Sequence, residues 1–462
     1  MRQGCEEEVL DLIRPKKEEK DAIWEIAGDL IEAVDESKTA KGMVVGSVAR
    51  DTWVSGDKDL DIFMLFDPSL SREELEEQGL FLARKIAFSF DGDVVEKYAE
   101  HPYINANIRG FDVDLVPCYD VLDAAKIQSA VDRTPFHTRY MKERIGPFSD
   151  DVLLLKQFSK SCGVYGSDQM TGGFAGYLCE ILISYYGGFS ECIRAASNWH
   201  PGIIIDIEDH QAKEFDDPLV VIDPVDPRRN VAASLSATRM YEFAEYSRGY
   251  LSSPSCEFFK IKPAKKISLN DFSEKIVQRG TNFYGIVFDT PGIIPDVIVP
   301  QLRKSVNSVC SLLERNGFCV NRADSFMGDE KCLLLFELLI DTLPDIEKRQ
   351  GPPVWETADS NKFLQKHLGK TISGPYIYEG KYFIEVRRRY PKAFDLLSSA
   401  DFKDCGLGKH VKKSILSGYF VSSNSECWSL EFSEFLHDFI YKISPLTGIL
   451  LSEADEKNKG CK

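Results

Sequence analysis

No apolar run in the chain of 462 residues approaches the roughly 18 to 20 residues needed to span a bilayer, so a membrane protein is not expected. The N-terminal stretch MRQGCEEEVLDLIRPKKEEK is acidic and lacks a signal-type apolar core, so secretion is not expected either. Twelve cysteines are scattered without one C-x-x-C pair. That pattern argues against a disulfide framework or a zinc site and fits a reducing cytoplasm. Internal repeats and low-complexity tracts are missing as well. So is an excess of positive charge: 56 Lys and Arg against 73 Asp and Glu leave a net −17. A nucleic-acid-binding protein is expected to show a basic surface, yet a groove needs only local positive charge. Three local clusters exist, Lys260, Lys262, Lys265 and Lys266, then Arg387 to Arg389, then Lys409, Lys412 and Lys413. Each taken singly also suits an ordinary solvated face, and an acidic proteome in a salt-rich cytoplasm would give the same overall balance.

With 43% hydrophobic residues the chain can bury large cores, and its length predicts about three domains. Ile23, Ile26, Ala27, Leu30, Ile31 and Val34 follow a 3.6-residue period after Pro15, which predicts a helix. Strands are expected on both sides of Gly46-Ser47, near Val94, Ile104 and Val113, with a helix from about Ser71 to Ser89. That is an α/β palm, 1–146. The pattern then turns helical through DDVLLLKQFSKSC and GFAGYLCEILISYYGGFSECIRAASNW, with a strand at Leu219 to Asp223 and a helix at Ser236 to Leu251, giving a central domain over 147–255. Short strands (Phe283 to Phe288, Cys332 to Ile340, Tyr382 to Val386) alternating with helices fill a third domain, 256–462. The fold class expected is therefore multidomain α+β.

Chemistry concentrates near the start. The apolar run Met43 to Val45 stops at Gly46-Ser47, a helix-compatible stretch follows, and Asp59-Leu60-Asp61 opens a second apolar run. Residues two apart in a strand share a face, so Asp59 and Asp61 point together. Asp114, in DVDLVP, comes from another alternating strand after the Arg109-Gly110 turn signal. Three such acids suit a pair of Mg²⁺ ions, which take oxygen ligands and bridge an attacking hydroxyl to a nucleoside triphosphate. Alone, a Gly-Ser pair is a plain turn and a D-x-D also suits a solvated strand end. Ser47 lies where backbone N–H groups and a hydroxyl can hold phosphate oxygens, and Arg50 can add a fork of donors. His137 on its own reads as a satisfied structural histidine. Lys156, inside LLLKQF, either snorkels to solvent or meets a phosphate, and Tyr165 in GVYG could be plain packing.

The ordered set of Gly-Ser, helix, D-x-D strand and later Asp resembles the DNA polymerase β-like nucleotidyltransferase superfamily. GSVARDTW, EHPYI, VDLVPCY, SAVDRTPFH, LLKQF, GVYG, GFAGYLCEIL and DPVDPRRNVAASLS resemble, in order and spacing, the archaeal-type (class I) CCA-adding tRNA nucleotidyltransferases. Weaker similarity continues through RGTNFYGIVF, Gly351 to Pro353 and GLGKHV. The resemblance implies a polymerase β-like palm, addition of C, C and A to the tRNA 3′ end from CTP and ATP, and Mg²⁺ on Asp59, Asp61 and Asp114. It implies nucleotide contacts from Ser47, Arg50, His137, Lys156 and Tyr165, and base reading by Arg229, whose rigid donors suit the edges of both C and A. Asp112 shares a strand face with Asp114 but does not match a family ligand, and is expected to be a neighbouring or solvent carboxylate. The C-terminal region would grip the acceptor and TΨC arms by shape and phosphate contact; a homodimer in the cytoplasm is the assembly considered. One departure is Ala175, where the common family form has Ser. The rival readings are another superfamily RNA nucleotidyltransferase, such as a poly(A) polymerase, and a non-catalytic RNA-binding relative.

Overall fold

Pro15 separates two N-terminal helices, α1 (Gly4–Ile13) and α2 (Lys17–Glu36), because it cannot continue the first. In the computed structural model, which describes residues 4–98 and 100–460, Ile23, Ile26, Ala27, Leu30 and Val34 of α2 are buried along one stripe. Residues 1–3 and 461–462, at the two ends of the expected outer domains, lie outside the described residues. The chain forms two compact units, residues 1–262 with 444–462, and residues 263–443.

The first unit opens with a five-stranded sheet in the order β1-β2-β5-β4-β3, built from β1 (Ala40–Val44), β2 (Asp59–Phe66), β3 (Asp93–Tyr98), β4 (Pro102–Ile108) and β5 (Phe111–Tyr119). β2 and β5 run parallel and every other pair is antiparallel. Arg109 and Gly110, both at positive φ, make the two-residue hairpin between β4 and β5. Between β1 and β2 lies α3 (Gly46–Ala49); between β2 and β3, α4 (Arg72–Ser89) starts on a capping box in which Ser71 Oγ accepts from Glu74 N and Glu74 Oε2 accepts from Ser71 N. Period-two alternation sorts β2 into two faces. Leu60, Ile62, Met64 and Phe66 join α2 and α4 in one core, while Phe63 and Leu65 meet Val45, Val116 and Cys118 on the other. Asp59 and Asp61 share that second face.

The rest of this unit is mainly helical: α5 (Arg133–Ile145), α6 (Ser149–Cys162), α7 (Gly176–Tyr186), α8 (Phe189–Ala196) and α9 (Ala237–Ser252), with β6 (Ile203–Ile205), β7 (Leu219–Asp223) and β8 (Asp226–Asn230). Phe158 of α6 is its centre. Rings of Phe189, Phe243, Tyr246, Tyr250, Phe258 and Phe259 surround it at centroid distances of 4.9–6.3 Å, and such burial is worth about 1.5 to 3 kcal/mol per large apolar side chain. Leu10 and Ile13 of α1, and Ile449 of the C-terminal helix Pro445–Gly460, are buried in the same core.

The second unit holds a four-stranded antiparallel sheet, order β10-β11-β9-β15, from β9 (Asn282–Asp289), β10 (Cys319–Met327), β11 (Lys331–Ile340) and β15 (Tyr419–Ser423). A three-stranded sheet, β12-β14-β13, is made of β12 (Ile346–Pro353), β13 (Ser373–Tyr378) and β14 (Lys381–Arg387). Glu337 of β11, fully buried, accepts from Arg279 Nε at 2.6 Å, Thr281 Oγ1 at 2.7 Å, Arg322 Nε at 2.9 Å and Asn321 Nδ2 at 2.9 Å. Burial alone would raise its pKa; these donors outweigh it and hold the carboxyl down to about 2.

The basic clusters read from the sequence do not behave as three units. Lys260 pairs with Glu257, and Lys262 Nζ donates to Ser452 Oγ at 2.8 Å, both inside the first unit. Lys266 belongs to the second unit and faces Glu434 at 3.5 Å. Arg388 is turned onto backbone carbonyls, Nε to Pro344 at 3.0 Å and Nη1 to Asn316 at 3.3 Å, and Arg389 pairs with Asp401 at 2.8 Å. Lys409 and Lys413 are exposed four residues apart on the helix Lys409–Ser417, with Lys412 half-buried.

Candidate active site

The parallel pairing of β2 and β5 sets Asp59 opposite Asp112 and Asp61 opposite Asp114, so four carboxylates occupy one end of one sheet face. Like charges this close oppose each other's ionisation. Burial, then the charge of Asp114, pushes the Asp61 carboxyl up to about 6. Burial, then Asp57 and Asp112, raises Asp59; burial raises Asp114 against a lowering hydrogen bond from Asn105. Asn105 lies opposite Asp114 on β4, and its Nδ2 donates to Asp114 Oδ1 at 2.7 Å and to Asp112 Oδ1. The acids are brought to one face but not to one point. Among the described residues no three His, Cys, Asp or Glu side chains close on a common metal position. The donor set is nonetheless all oxygen and short of positive charge, which fits a hard divalent cation.

Asp61 also fixes the turn beside it. Gly46 has φ +70°, and a Cβ there would stand 2.0 Å from Asp61 Oδ2, so glycine is required on both counts. The peptide N–H of Val45 donates to Asp61 O at 3.0 Å, placing Ser47 and the start of α3 alongside the carboxylates.

The remaining expected residues gather around α7. Arg50 Nε lies 2.7 Å from Glu180 Oε2 and its Nη1 donates to Thr138 Oγ1 at 3.1 Å. Glu180 also accepts from Thr52 Oγ1 at 2.6 Å, and Lys156 Nζ donates to Thr52 O at 2.6 Å. Lys156 is therefore buried rather than snorkelling to solvent, and that burial, opposed by the charge of Glu180, lowers its pKa. Gly176, at the first turn of α7, permits a close approach: a Cβ there would be 3.2 Å from Tyr165 Oη and 3.5 Å from Lys156 Nζ. One residue on, Tyr177 stacks on His137 with ring centroids 4.2 Å apart.

His137 and Arg229 meet at a residue that opens the DPVDPRRN motif but to which the sequence reading assigns no role. Asp223 ends β7 fully buried. Its Oδ2 accepts from His137 Nε2 at 2.8 Å and from Arg229 Nη1 at 2.7 Å. Its Oδ1 accepts from Val225 N at 3.1 Å and Tyr177 Oη at 3.4 Å. Burial raises the Asp223 pKa, but these partners outweigh it and hold the carboxyl below its ordinary value; burial likewise lowers His137 despite the opposing carboxylate. Arg229 then faces a cavity of about 1160 Å³ lined also by Arg133, Tyr177, Asp226, Arg228 and Asn230, a volume ample for a nucleotide. Ala175 is on its wall. Glu180 is likewise absent from the residues expected at the site; its trace in the sequence is one carboxylate inside the apolar run GYLCEILIS, a position charged residues seldom take unless paired.

Three family descriptions match successive stretches of the chain: nucleotidyltransferase domain over residues 28–137, tRNA nucleotidyltransferase second domain over 150–260, and CCA-adding enzyme C-terminal domain over 279–424. The fold is thus multidomain α+β with a nucleotidyltransferase domain. The chain is similar to the CCA-adding enzyme of Methanoregula boonei, 52% identical over 95% of both chains. It is 41% identical to that of Methanosarcina mazei over 92% of this chain and 95% of the relative, and 42% identical to that of Haloarcula marismortui over 83% and 84%. Solved structures overlap more loosely: E. coli MS115-1 CdnC with ATP gives a TM-score of 0.44 at 18% identity, over 56% of this chain and 95% of that one.

Proposed function

Because the chain belongs to the CCA-adding enzyme family, we infer that it adds C, C and A to the 3′ end of tRNA from CTP and ATP. The tRNA 3′ hydroxyl attacks the α-phosphate and pyrophosphate leaves. The observation that carries this is the register pairing Asp59 with Asp112 and Asp61 with Asp114 beside the Gly46-Ser47 turn. Mg²⁺ held by Asp59, Asp61 and Asp114 would neutralise the triphosphate and ease deprotonation of the attacking hydroxyl.

The chain's own groups do the rest. Ser47 and the peptide N–H groups of its turn hold phosphate oxygens. Arg50 spends Nε on Glu180 and Nη1 on Thr138, which fixes the guanidinium plane and leaves Nη2 for phosphate. Lys156 and Tyr165, adjacent across Gly176, supply a cation and a hydroxyl to the same nucleotide. His137 packs beside it, and Arg229 meets the base edge. The second unit grips the acceptor and TΨC arms. No helix among the described residues is long and apolar enough to cross a membrane. A cytoplasmic location and a homodimer complete the reading, and light scattering on the full chain measures the latter.

A tRNA lacking its 3′ CCA, given Mg²⁺ and each labelled triphosphate separately, tests the activity. CTP should be incorporated at once, ATP only after two C residues, and UTP and GTP hardly at all. Asp61→Ala and Asp114→Ala should each abolish incorporation while tRNA affinity changes little, since the charge stabilisation they remove belongs to the reacting phosphate. Untimed runs of A or U, or near-normal turnover in either variant, would overturn the assignment.

A further inference from the structure

Arg229 is a long side chain at the mouth of a large cavity, 38% exposed, and a guanidinium on such a stem can face many ways. A base edge is read only if the fork of donors is held in one plane. We propose that Asp223 is the positioning residue for base choice: its carboxylate holds the Arg229 guanidinium in the one orientation that meets the base edge of both CTP and ATP. This rests on the reading of Arg229 as the base-contacting group.

The geometry supports the role in three ways. Asp223 is wholly buried behind the cavity wall, so it acts through Arg229 rather than on the nucleotide. Among the described residues only Arg229 Nη1 is engaged, at 2.7 Å from Asp223 Oδ2, which leaves Nη2 and Nε to point elsewhere. The carboxylate is itself immobilised, since His137 Nε2 takes the same oxygen at 2.8 Å while Val225 N and Tyr177 Oη hold the other. The nearest competing carboxylate on β8, Asp226, is occupied by Arg133 at 2.9 Å, so it does not draw Arg229 away. His137 is fixed by the same arrangement, between Asp223 and the Tyr177 ring at 4.2 Å. One buried charge thus ties together two residues that come from separate parts of the chain.

The test compares kcat/KM for CTP, ATP, UTP and GTP in the full-length enzyme carrying Asp223→Asn, Arg229→Ala, or both. Asp223→Asn keeps the shape and removes the charge. It should lower discrimination against UTP and GTP about tenfold or more, with tRNA affinity unchanged. Arg229→Ala should relax discrimination too, and adding Asp223→Asn to it should relax it no further. If Arg229→Ala alone leaves discrimination intact, the base-reading assignment falls and the proposal with it. If Arg229→Ala relaxes discrimination but Asp223→Asn only slows all four triphosphates by a common factor, Asp223 is structural and the positioning role is wrong while the base-reading assignment stands. Additive losses in the double variant would overturn it equally. Should Asp223→Asn fail to fold, Asp223→Glu, which keeps the charge but moves it by one methylene, carries the same expectation.

Discussion

At Gly46 two constraints coincide, a positive φ and an Asp61 oxygen 2.0 Å from where a Cβ would stand. Gly46→Ala must therefore displace the Asp61 carboxylate or flatten the turn that carries Ser47. The positive φ alone costs an alanine about 1 to 2 kcal/mol, and displacing Asp61 adds to that. The expected result is a folded protein whose single-turnover nucleotide incorporation falls at least about tenfold, the equivalent of roughly 1.4 kcal/mol on the barrier; thermal melting run alongside separates the two effects. Full activity in this variant would mean that the position of Asp61 does not govern the chemistry. The residues legible in the sequence are those whose relation is local: Asp59 and Asp61 share a face by strand alternation, and Gly46-Ser47 interrupts an apolar run. Asp223 and Glu180 stand inside quoted motifs, DPVDPRRN and GFAGYLCEIL, but their roles are not legible there. Arg229 is only six residues from Asp223, but His137 lies 86 residues from it and Thr52 lies 128 from Glu180, and nothing in LVVID or GYLCEIL records which histidine or threonine arrives there.

α7 gathers more of the site than any other element, presenting Gly176, Tyr177 and Glu180 to three different groups of partners, yet its own start is poorly finished. Ala175 occupies the N-cap with φ −71° and ψ 154° and offers no side-chain acceptor to the first turn. A serine there can accept from the N–H of Tyr177 or Leu178. Ala175→Ser is therefore expected to raise stability by about 0.5 to 2 kcal/mol, read as a shift of the urea midpoint at constant slope, with CTP incorporation essentially unchanged. An unshifted midpoint would show that those N–H groups already have partners. At this scale the sequence is readable where burial is one-sided, as in α2, α4, β3 and β4, and where an apolar run is long enough to mark a strand buried on both faces, as in β2 and β5. It is not readable for β10, β12, β13 and β15, whose residues are mostly half-buried or exposed. β12 reads IEKRQGPP, a composition that disfavours strands, and it is a strand only because pairing with β14 outweighs local preference.

Over the whole molecule the two units interleave in sequence, since the first reclaims the C-terminal helix after the second is complete. Ile449 and Leu446 pack into the aromatic core set by Phe158, a return for which the sequence holds no local sign. The same long-range folding decides which basic residues remain available to RNA. Arg388 is committed to the carbonyls of Pro344 and Asn316, so Arg388→Gln should lower the stability of the second unit and leave the salt dependence of tRNA binding alone. Lys409 and Lys413 are the contrasting case: exposed and one helical turn apart, within a chain of net charge −17. If they meet tRNA phosphates, binding releases counterions at each such pairing. Lys409→Gln with Lys413→Gln in the full chain should weaken tRNA binding most at low salt. It should also flatten the slope of log K against log salt by about 0.7 to 0.9 for each phosphate no longer neutralised. Turnover at saturating tRNA should hold, because the carboxylates and the base cavity lie in the other unit. A slope that stays put in the lysine pair while dropping in Arg388→Gln would reverse these roles and move the RNA-binding surface to the neighbourhood of β14.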